Sequence, residues 1–311
     1  MTIHRRHPRG GALLAVILLI AILAMTTMAT LRVVSFDLEI ATARVHGSRA
    51  KQVAEMGIAV GSNPTVKRTD PLLHYFNEET GERYDVRIIS EGGRFNINSI
   101  VLREDKALLR SIILDWGLDL DTAGAIADAL GDWVDADEEA ALNGAEIEWY
   151  EKQGRTNQPF NRPFYNLDEV RLVRGMELVE AIRPNWRDWF TVYSSGGLDV
   201  NDAEVELIAA AAEVNVDQAE VIVETVRGPD GIRDTTDDVP FQDAPAALQL
   251  LGIDADTRPD IAARFTAGET TTRIESTGVA EGARRRVNVI LRNRSGRPAL
   301  LEKSVEILPS E

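Results

Sequence analysis

The first pattern along this chain is an apolar run without a charged residue from Gly10 to Leu31. A helix of about 22 residues, rising ~1.5 Å per residue, is about 33 Å long and can cross a hydrocarbon core of about 30 Å. Arg5, Arg6 and Arg9 precede the run, so the positive-inside rule predicts a cytoplasmic N-terminus and an external bulk. The apolar region of a cleaved signal usually has only about 7–15 residues, which favours a retained membrane anchor.

The helical pattern continues past the apolar run without a Gly/Pro break. Apolar residues spaced three or four apart form two groups along it: Val34, Leu38, Ala41 and Val45, then Val53, Met56 and Val60. This spacing is typical of an amphipathic helix, and Gly61-Ser62-Asn63-Pro64 is a breaker. We therefore predict one helix with a transmembrane segment over 11–31 and a stem over 32–62.

Strand patterns occur at both ends of the remaining chain. "RYDVRIIS" (83–90) alternates apolar and polar residues, and after a Gly92-Gly93 turn "RFNINSI" (94–100) is expected to pair back with it. Near the C-terminus we predict a hairpin around Glu281-Gly282 and a last strand "LEKSVEIL" (301–308). The expected class is α+β, with an antiparallel sheet formed from residues 63–100 and 263–311.

The roughly 165 residues between these strand segments have a mostly helical pattern that repeats. We predict two related helical modules over 101–190 and 191–262, each with two helices, an acidic loop and a closing "PF" segment. Three residue pairs share an offset of 77: Phe164 and Phe241, Asn166 and Asp243, Gly175 and Gly252. Asn98 is a candidate cap at the start of module 1. Asn166 followed by Glu169 has the form of a helix start, and Gly175 that of a helix C-cap.

Composition excludes several classes of site. The chain has 311 residues, a formal net charge of −16, four His and no Cys. Such an acidic chain does not favour nucleic-acid binding, and without Cys it has no disulfide, zinc–thiolate site or cysteine nucleophile. It also lacks a Gly-rich phosphate loop, a G-x-S-x-G elbow and an H-E-x-x-H helix. Asp135 and Asp137 are on paper a carboxylate pair for glycoside hydrolysis, but we do not expect an enzyme.

The two acidic loops are candidate calcium sites, because flexible loops that present carboxylate and carbonyl oxygens suit this ion. Neither has the spacing of an EF-hand, and solvated acidic loops are the alternative interpretation. In the first loop the candidate ligands are Asp132, Asp135, Asp137, Glu138, Glu146 and Glu148. In the second loop they are Asp230, Asp234, Asp237 and Asp238.

A short basic leader ending in Gly, then an apolar helix and a continuous stem, resembles type IV pilin-like proteins. The resemblance implies that a prepilin peptidase cleaves "RG|GALLAVILL" after Gly10, with Gly11 as the alternative, and that the new amino terminus is methylated. Most pilins carry Glu at the fifth mature position, where this chain has Ala15. In this respect it resembles the K-type minor pseudopilins of type II secretion systems.

Three further segments, in order, carry the same resemblance: "DWVDAD" (132–137), "GAEIEWY" (144–150) and "DEVRLVRGM" (168–176). It implies a pilin-like sheet interrupted by a helical domain, bound calcium, and a place at the pseudopilus tip. It also implies partners, namely the I, J and H minor pseudopilins and the major pseudopilin, and an inner-membrane location with a periplasmic bulk. The alternatives are a type IV minor pilin and a membrane-anchored DNA-uptake receptor, since "VRGM" is similar to helix-hairpin-helix segments.

Overall fold

A computed structural model of the chain describes residues 11–309, so the predicted leader and Gly10 lie outside the described residues. Helix α1 (Gly11–Ser62) is a single helix of 52 residues, which confirms the prediction of one continuous helix. Among the described residues, it is the one helix long and apolar enough to cross a membrane. The apolar stretch of α1 is 0% buried, and the first buried residue along the helix is Gly47. The first part of α1 therefore extends away from the folded head.

The head is built on a five-stranded sheet in the order β1-β2-β7-β8-β9, in which every neighbouring pair is antiparallel. Its strands are β1 (His74–Phe76), β2 (Arg83–Ser90), β7 (Thr271–Ala280), β8 (Ala283–Arg292) and β9 (Ala299–Leu308). The predicted C-terminal hairpin and last strand are confirmed. Strands from both ends of the sequence thus form one sheet, as the pattern predicted.

Helix α1 packs across β2, β7 and β8 and buries Val53 and Ala54 against Val86, Ile274 and Val287. Glycines allow the close approach. A Cβ at Gly57 would lie 2.7 Å from Val86 Cγ2, and one at Gly61 would lie 2.7 Å from Ile274 Cγ2.

Arg294, in the loop after β8, closes the C-terminal end of α1. Its guanidinium donates to the carbonyls of Gly61 (2.8 Å), Asn63 (2.6 Å) and Val66 (2.6 Å). Carbonyls at a helix C-terminus have no partner within the helix and favour a cation. This contact ties the end of the stem helix to the C-terminal strands.

Between β2 and β7 lies a helical domain whose helices are short. Module 1 contains α2 (Ile97–Leu102), α3 (Lys106–Asp115), α4 (Leu120–Val134), α5 (Ile147–Lys152), α6 (Leu167–Val170) and α7 (Met176–Ile182). Module 2 contains α8 (Val205–Ala212), α9 (Val216–Arg227), α10 (Ala244–Leu250) and α11 (Pro259–Ala262). Single-turn 3₁₀ helices occupy Pro71–Leu73, Glu91–Gly93 and Trp186–Asp188. The buried side chains of both modules form one core.

Each module is closed by a two-residue parallel bridge. In module 1, β3 (Phe95–Asn96) pairs with β4 (Phe190–Thr191), and in module 2, β5 (Leu198–Asp199) pairs with β6 (Phe265–Thr266). The prediction that residues 94–100 pair back with β2 is therefore wrong. Phe95 is buried in the helical core, and the following residues begin α2. The segment belongs to the inserted domain because its apolar residues are buried there.

The internal repeat predicted from the 77-residue offset has matching contacts in both modules. Asn98 accepts from Phe164 N (2.7 Å) and donates to Phe164 O (2.9 Å), and Asn201 bonds the main chain of Phe241 in the same way (2.8 and 3.0 Å). Asn166 caps α6, and Asp243 caps α10 in the same way.

Two details of the repeat prediction are wrong. The cap of α2 is Asn96, whose side chain accepts from Ser99 N, whereas Asn98 holds the closing segment of its module. Gly175, with φ +86°, precedes α7 instead of ending α6, whose C-cap is Arg171. Both positions are polar or glycine turn signals in sequence, and only the tertiary contacts distinguish their roles.

The helical domain lies at the end of the sheet remote from the exposed apolar part of α1. Gly47 lies beside Arg285, near the β7–β8 turn, whereas Gly61 lies beside Ile274, near the opposite ends of the strands. The insertion leaves the sheet after Ser90 and re-enters it at Thr271, at that same distal end. The molecule therefore carries its bulk at the far end of the stem.

Candidate metal centre

The candidate centre lies at the C-terminal end of α4. Asp119 starts this helix by accepting N–H bonds from Asp121 and Thr122, and its apolar face carries Trp133 into the core, where it is 0% exposed. The Trp133 indole donates to Glu169 (3.2 Å), and its ring packs edge to face on Tyr150. The preceding residue, Asp132, is consequently held at a fixed, buried position.

The structure brings three of the predicted ligands together. One oxygen from each of Asp132, Asp135 and Glu146 lies within 4.8 Å of the others. Asp132 accepts main-chain N–H bonds from Ala141 (3.2 Å) and Ala145 (2.8 Å). Glu146 is only 5% exposed, and both of its carboxylate oxygens are buried without a hydrogen-bond partner. A buried carboxylate without a donor is costly, and a cation bound beside these oxygens would offset that cost.

Burial raises the pKa of all three carboxyls, and the charges of neighbouring acids raise it further. Desolvation, together with the charges of Asp132 and Asp135, raises the pKa of Glu146 to about 7. Desolvation and the charges of Asp137 and Asp132 raise the pKa of Asp135 to about 6. The pKa of Asp132 is also raised, by desolvation that outweighs its bonds to the main chain. A bound divalent cation would offset this repulsion and favour the ionised forms.

Two residues that sequence reasoning did not select hold the loop around the site. Gly144 passes so close to Asp132 that a Cβ there would collide with the carboxylate. Arg174 donates to the carbonyls of Gly144 (2.8 Å) and Asn143 (3.3 Å), and its guanidinium lies 5.2 Å from the centre of the Trp149 ring. The Asn143-Gly144 pair was a sequence signal that could have pointed to Gly144, whereas nothing in the sequence indicated Arg174.

The donor set suits a hard divalent cation such as calcium, because it consists of carboxylate oxygens on a flexible loop. Three carboxylates are fewer than the six to eight oxygens that calcium takes, so main-chain carbonyls and water would have to complete the set. Of the other candidates in this loop, Asp137 accepts from Glu139 N (2.9 Å). Glu138 and Glu148 line a neighbouring cavity of about 430 Å³. The structure does not bring these three into the cluster.

The second acidic loop follows α9 and is held by its own main chain. Asp237 accepts from Asp230 N (3.0 Å), and Asp238 accepts from Asp234 N (2.8 Å). Asp234 also lies 3.5 Å from the guanidinium of Arg68. Within residues 11–309, these four carboxylates do not form a group of three with converging oxygens. A metal site in this loop remains a prediction.

Comparison with known proteins gives three consistent matches. The family model described as "Type II secretion system (T2SS), protein K" matches residues 93–186, which include the whole candidate metal centre. A curated relative, type II secretion system protein K of Pseudomonas aeruginosa, is 26% identical over 261 residues, covering 75% of this chain and 76% of that protein.

The fold is similar to one chain in the crystal structure of the GspK-GspI-GspJ complex from the type II secretion system of enterotoxigenic Escherichia coli. The TM-score is 0.57 at 14% identity, and the match covers 88% of this chain and 98% of that one. At this identity the match shows a shared fold. In sequence and in fold the chain is thus similar to protein K of type II secretion systems.

Proposed function

We propose that this minor pseudopilin occupies the tip of the type II secretion pseudopilus and there assists assembly and protein export across the outer membrane. The observation that carries the proposal is the position of the helical domain at the end of the sheet remote from the stem. A subunit stacked above this one would have to pass a domain of about 180 residues inserted between Ser90 and Thr271. Steric exclusion of a further subunit is consistent with a terminal position.

The same proposal places the chain in the inner membrane before assembly, with its N-terminus in the cytoplasm and its head in the periplasm. Exposed apolar side chains cover α1 from Leu13 to Leu38, which suits first lipid and then a bundle of similar helices. Its proposed partners are the I, J and H minor pseudopilins and the major pseudopilin. The complex of GspK with GspI and GspJ supports the first two. The role is structural, and no catalytic step is assigned to the chain.

We further propose that Asp132, Asp135 and Glu146 hold a calcium ion that fixes the loop between α4 and α5. Bound calcium would supply positive charge to three crowded carboxylates and link the end of α4 to the start of α5. The unpartnered oxygens of Glu146 are the feature that supports a ligand here.

Immunogold labelling of assembled pseudopili tests the tip position. An epitope inserted after the exposed Asp256, on the helical domain, is expected to give one label at one filament end. The same epitope on the major pseudopilin is the control and should label the whole length. Labels of this chain along the filament would contradict the tip assignment.

N-terminal sequencing tests retention of the helix. The mature chain is expected to begin at Gly11 in cells with the prepilin peptidase and to retain the leader in cells without it. Deletion of the gene should abolish exoprotein secretion and leave pilus-dependent motility intact, whereas the reverse phenotype would favour a type IV minor pilin. A mature chain that begins beyond Leu31 would remove the anchor and contradict the assembly role.

A further inference from the structure

Strand β9 carries an exposed apolar strip beside the stem helix. Val305 pairs with Val287 of β8, and Ile307 pairs with Arg285, so the two residues of each pair lie on the same face of the sheet. Val287 is 0% exposed under α1, but Val305 is 43% and Ile307 76% exposed. The cover that α1 provides ends between β8 and β9, and an apolar groove remains along the stem.

The stem side of this groove is cationic. Arg44, Ser48, Lys51 and Glu55 are spaced four, three and four residues apart, which places them on one face of α1. That face is turned toward β9, because Glu55 bonds Lys303 of β9 at 2.8 Å. Lys51 lies on the same side, 3.9 Å from Glu55.

Arg285 of β8 adds a further cation at the end of the groove near the β7–β8 turn, where its guanidinium lies against Gly47. Its Nη1 donates to the main-chain carbonyl of Arg284 (2.7 Å), and among the described residues no carboxylate lies within ion-pair distance of it. Within residues 11–309, Arg44, Lys51, Arg285 and Lys303 along this groove face one acid, Glu55, in a chain whose net charge is −16. The local excess of positive charge favours an anionic occupant.

The dimensions of the groove suit a second helix. Five strands spaced ~4.8 Å apart give a sheet about 19 Å wide, whereas one helix is about 10 Å across. A second helix could pack beside α1 at the usual distance of about 8–10 Å and cover β9. Anionic lipid is a poorer candidate, because Arg44 lies 13 residues beyond Leu31, about 20 Å along the helix. Attraction to a lipid surface is screened within about 8 Å.

We propose that the groove between α1 and β9 binds the stem helix of a neighbouring pilin-like subunit, and that the helix presents apolar residues to Val305 and Ile307 and carboxylates to Arg44, Lys51 and Arg285. The partner class rests on the proposed function, since it is taken to be another stem of the same filament. The groove thereby selects a neighbour by charge as well as by apolar fit.

Binding of a synthetic helix to the full chain in neutral detergent micelles tests this proposal. The probe is a labelled 21-residue amphipathic peptide with Leu and Val on one face and Glu on its flanks, and the matched peptide has Lys in place of Glu. Fluorescence anisotropy, with empty micelles as the blank, is expected to give at least about tenfold tighter binding of the Glu peptide at low salt. That preference should decline as salt rises.

Variants locate the binding. Arg285→Glu and Lys51→Glu are each expected to lower the affinity for the Glu peptide by about tenfold. Arg110→Glu, the same charge change on the exposed face of α3, should leave binding unchanged. The proposal is overturned if the two peptides bind equally well, or if Arg285→Glu and Arg110→Glu bind the Glu peptide with the same affinity. It is also overturned if sedimentation shows a salt-sensitive dimer of the chain. A chain that labels filament ends but does not bind the Glu peptide overturns the groove alone, whereas failure of the end-labelling overturns the tip assignment.

Discussion

Replacing Glu146 with glutamine is expected to change the pH dependence of stability and to reduce the response to calcium. In the metal-free protein, burial and two neighbouring acids raise the pKa of Glu146 from 4.5 to about 7. The folded state therefore holds the proton more tightly than the unfolded state does. The contribution of Glu146 to stability is greatest below about pH 4.5 and is lost as the pH rises to about 7.

The magnitude follows from the size of that change in pKa. A difference of roughly 2.5 pH units, at about 1.4 kcal/mol per unit, makes the ionised Glu146 cost about 3 kcal/mol at pH 8. Glutamine does not titrate, so this part of the pH dependence should disappear in Glu146→Gln. The buried amide itself costs about 1–3 kcal/mol, so its absolute stability at pH 8 should lie within about 2 kcal/mol of the wild type.

Bound calcium is expected to stabilise the folded protein. At a calcium concentration of about 100 times the Kd, the wild type gains about 2.7 kcal/mol, whereas the variant lacks one carboxylate ligand and gains less. Urea unfolding at pH 5 and pH 8, with EDTA or with calcium, measures all four states. Glu148→Gln is the matched control, because the Glu148 side chain is 86% exposed. The reasoning is refuted if Glu146→Gln keeps the wild-type pH dependence in EDTA and the wild-type gain with calcium.

Three further substitutions test the contacts that hold the fold. Arg294→Ala should lower the free energy of unfolding by about 2–3 kcal/mol, because three main-chain carbonyls at the end of α1 lose a charged donor. Arg297→Ala in the same exposed loop is the control, and urea unfolding measures both variants. Gly57→Ala should destabilise by about 1–3 kcal/mol, since its Cβ would lie 2.7 Å from a β2 side chain. The same change at Gly124, inside α4 with only a distant neighbour, should stabilise by about 1 kcal/mol, and equal thermal shifts for the two would contradict the packing account. Asn201→Ala should cost about 1–3 kcal/mol because it leaves the main-chain N–H and carbonyl of Phe241 without partners. Hydrogen exchange at the Phe241 amide should rise, whereas exchange at the equivalent Phe164 amide of module 1 should not change.

Periodicity predicted the elements whose burial is one-sided. Helix α1 and strands β2, β7, β8 and β9 each have an apolar face that repeats every three to four or every two residues, and all were found where the pattern predicted them. Residues 94–100 are too short a segment for this signal, because alternation over a few residues fits a strand or the first turn of a helix equally well. Burial of Phe95 against Phe190 decided the outcome, and that contact joins positions 95 residues apart.

The candidate site was predicted only as a set of acids. Composition and spacing indicated six possible ligands in the first loop, but which of them converge depends on the path of residues 135–146. That path is set by the close approach of Gly144 to Asp132 and by Arg174, which lies on a distant turn and holds two loop carbonyls. The Asn143-Gly144 pair indicates a turn but not its close approach to Asp132, and the contact of Arg174 leaves no local pattern in the sequence. The three converging acids could therefore not be separated from the other three in advance.

The wide separation in sequence of β2 and β7 has a consequence for the order in which the head folds. About 180 residues lie between Ser90 and Thr271, and at about 5–20 residues per second a ribosome needs roughly 10–40 s to synthesise them. The inserted helices rely mainly on nearby contacts, which form quickly, whereas β2 waits with an open edge until its partner strand is made. The nascent chain thus passes through an interval in which the distal domain is formed and the stem has no sheet to rest on.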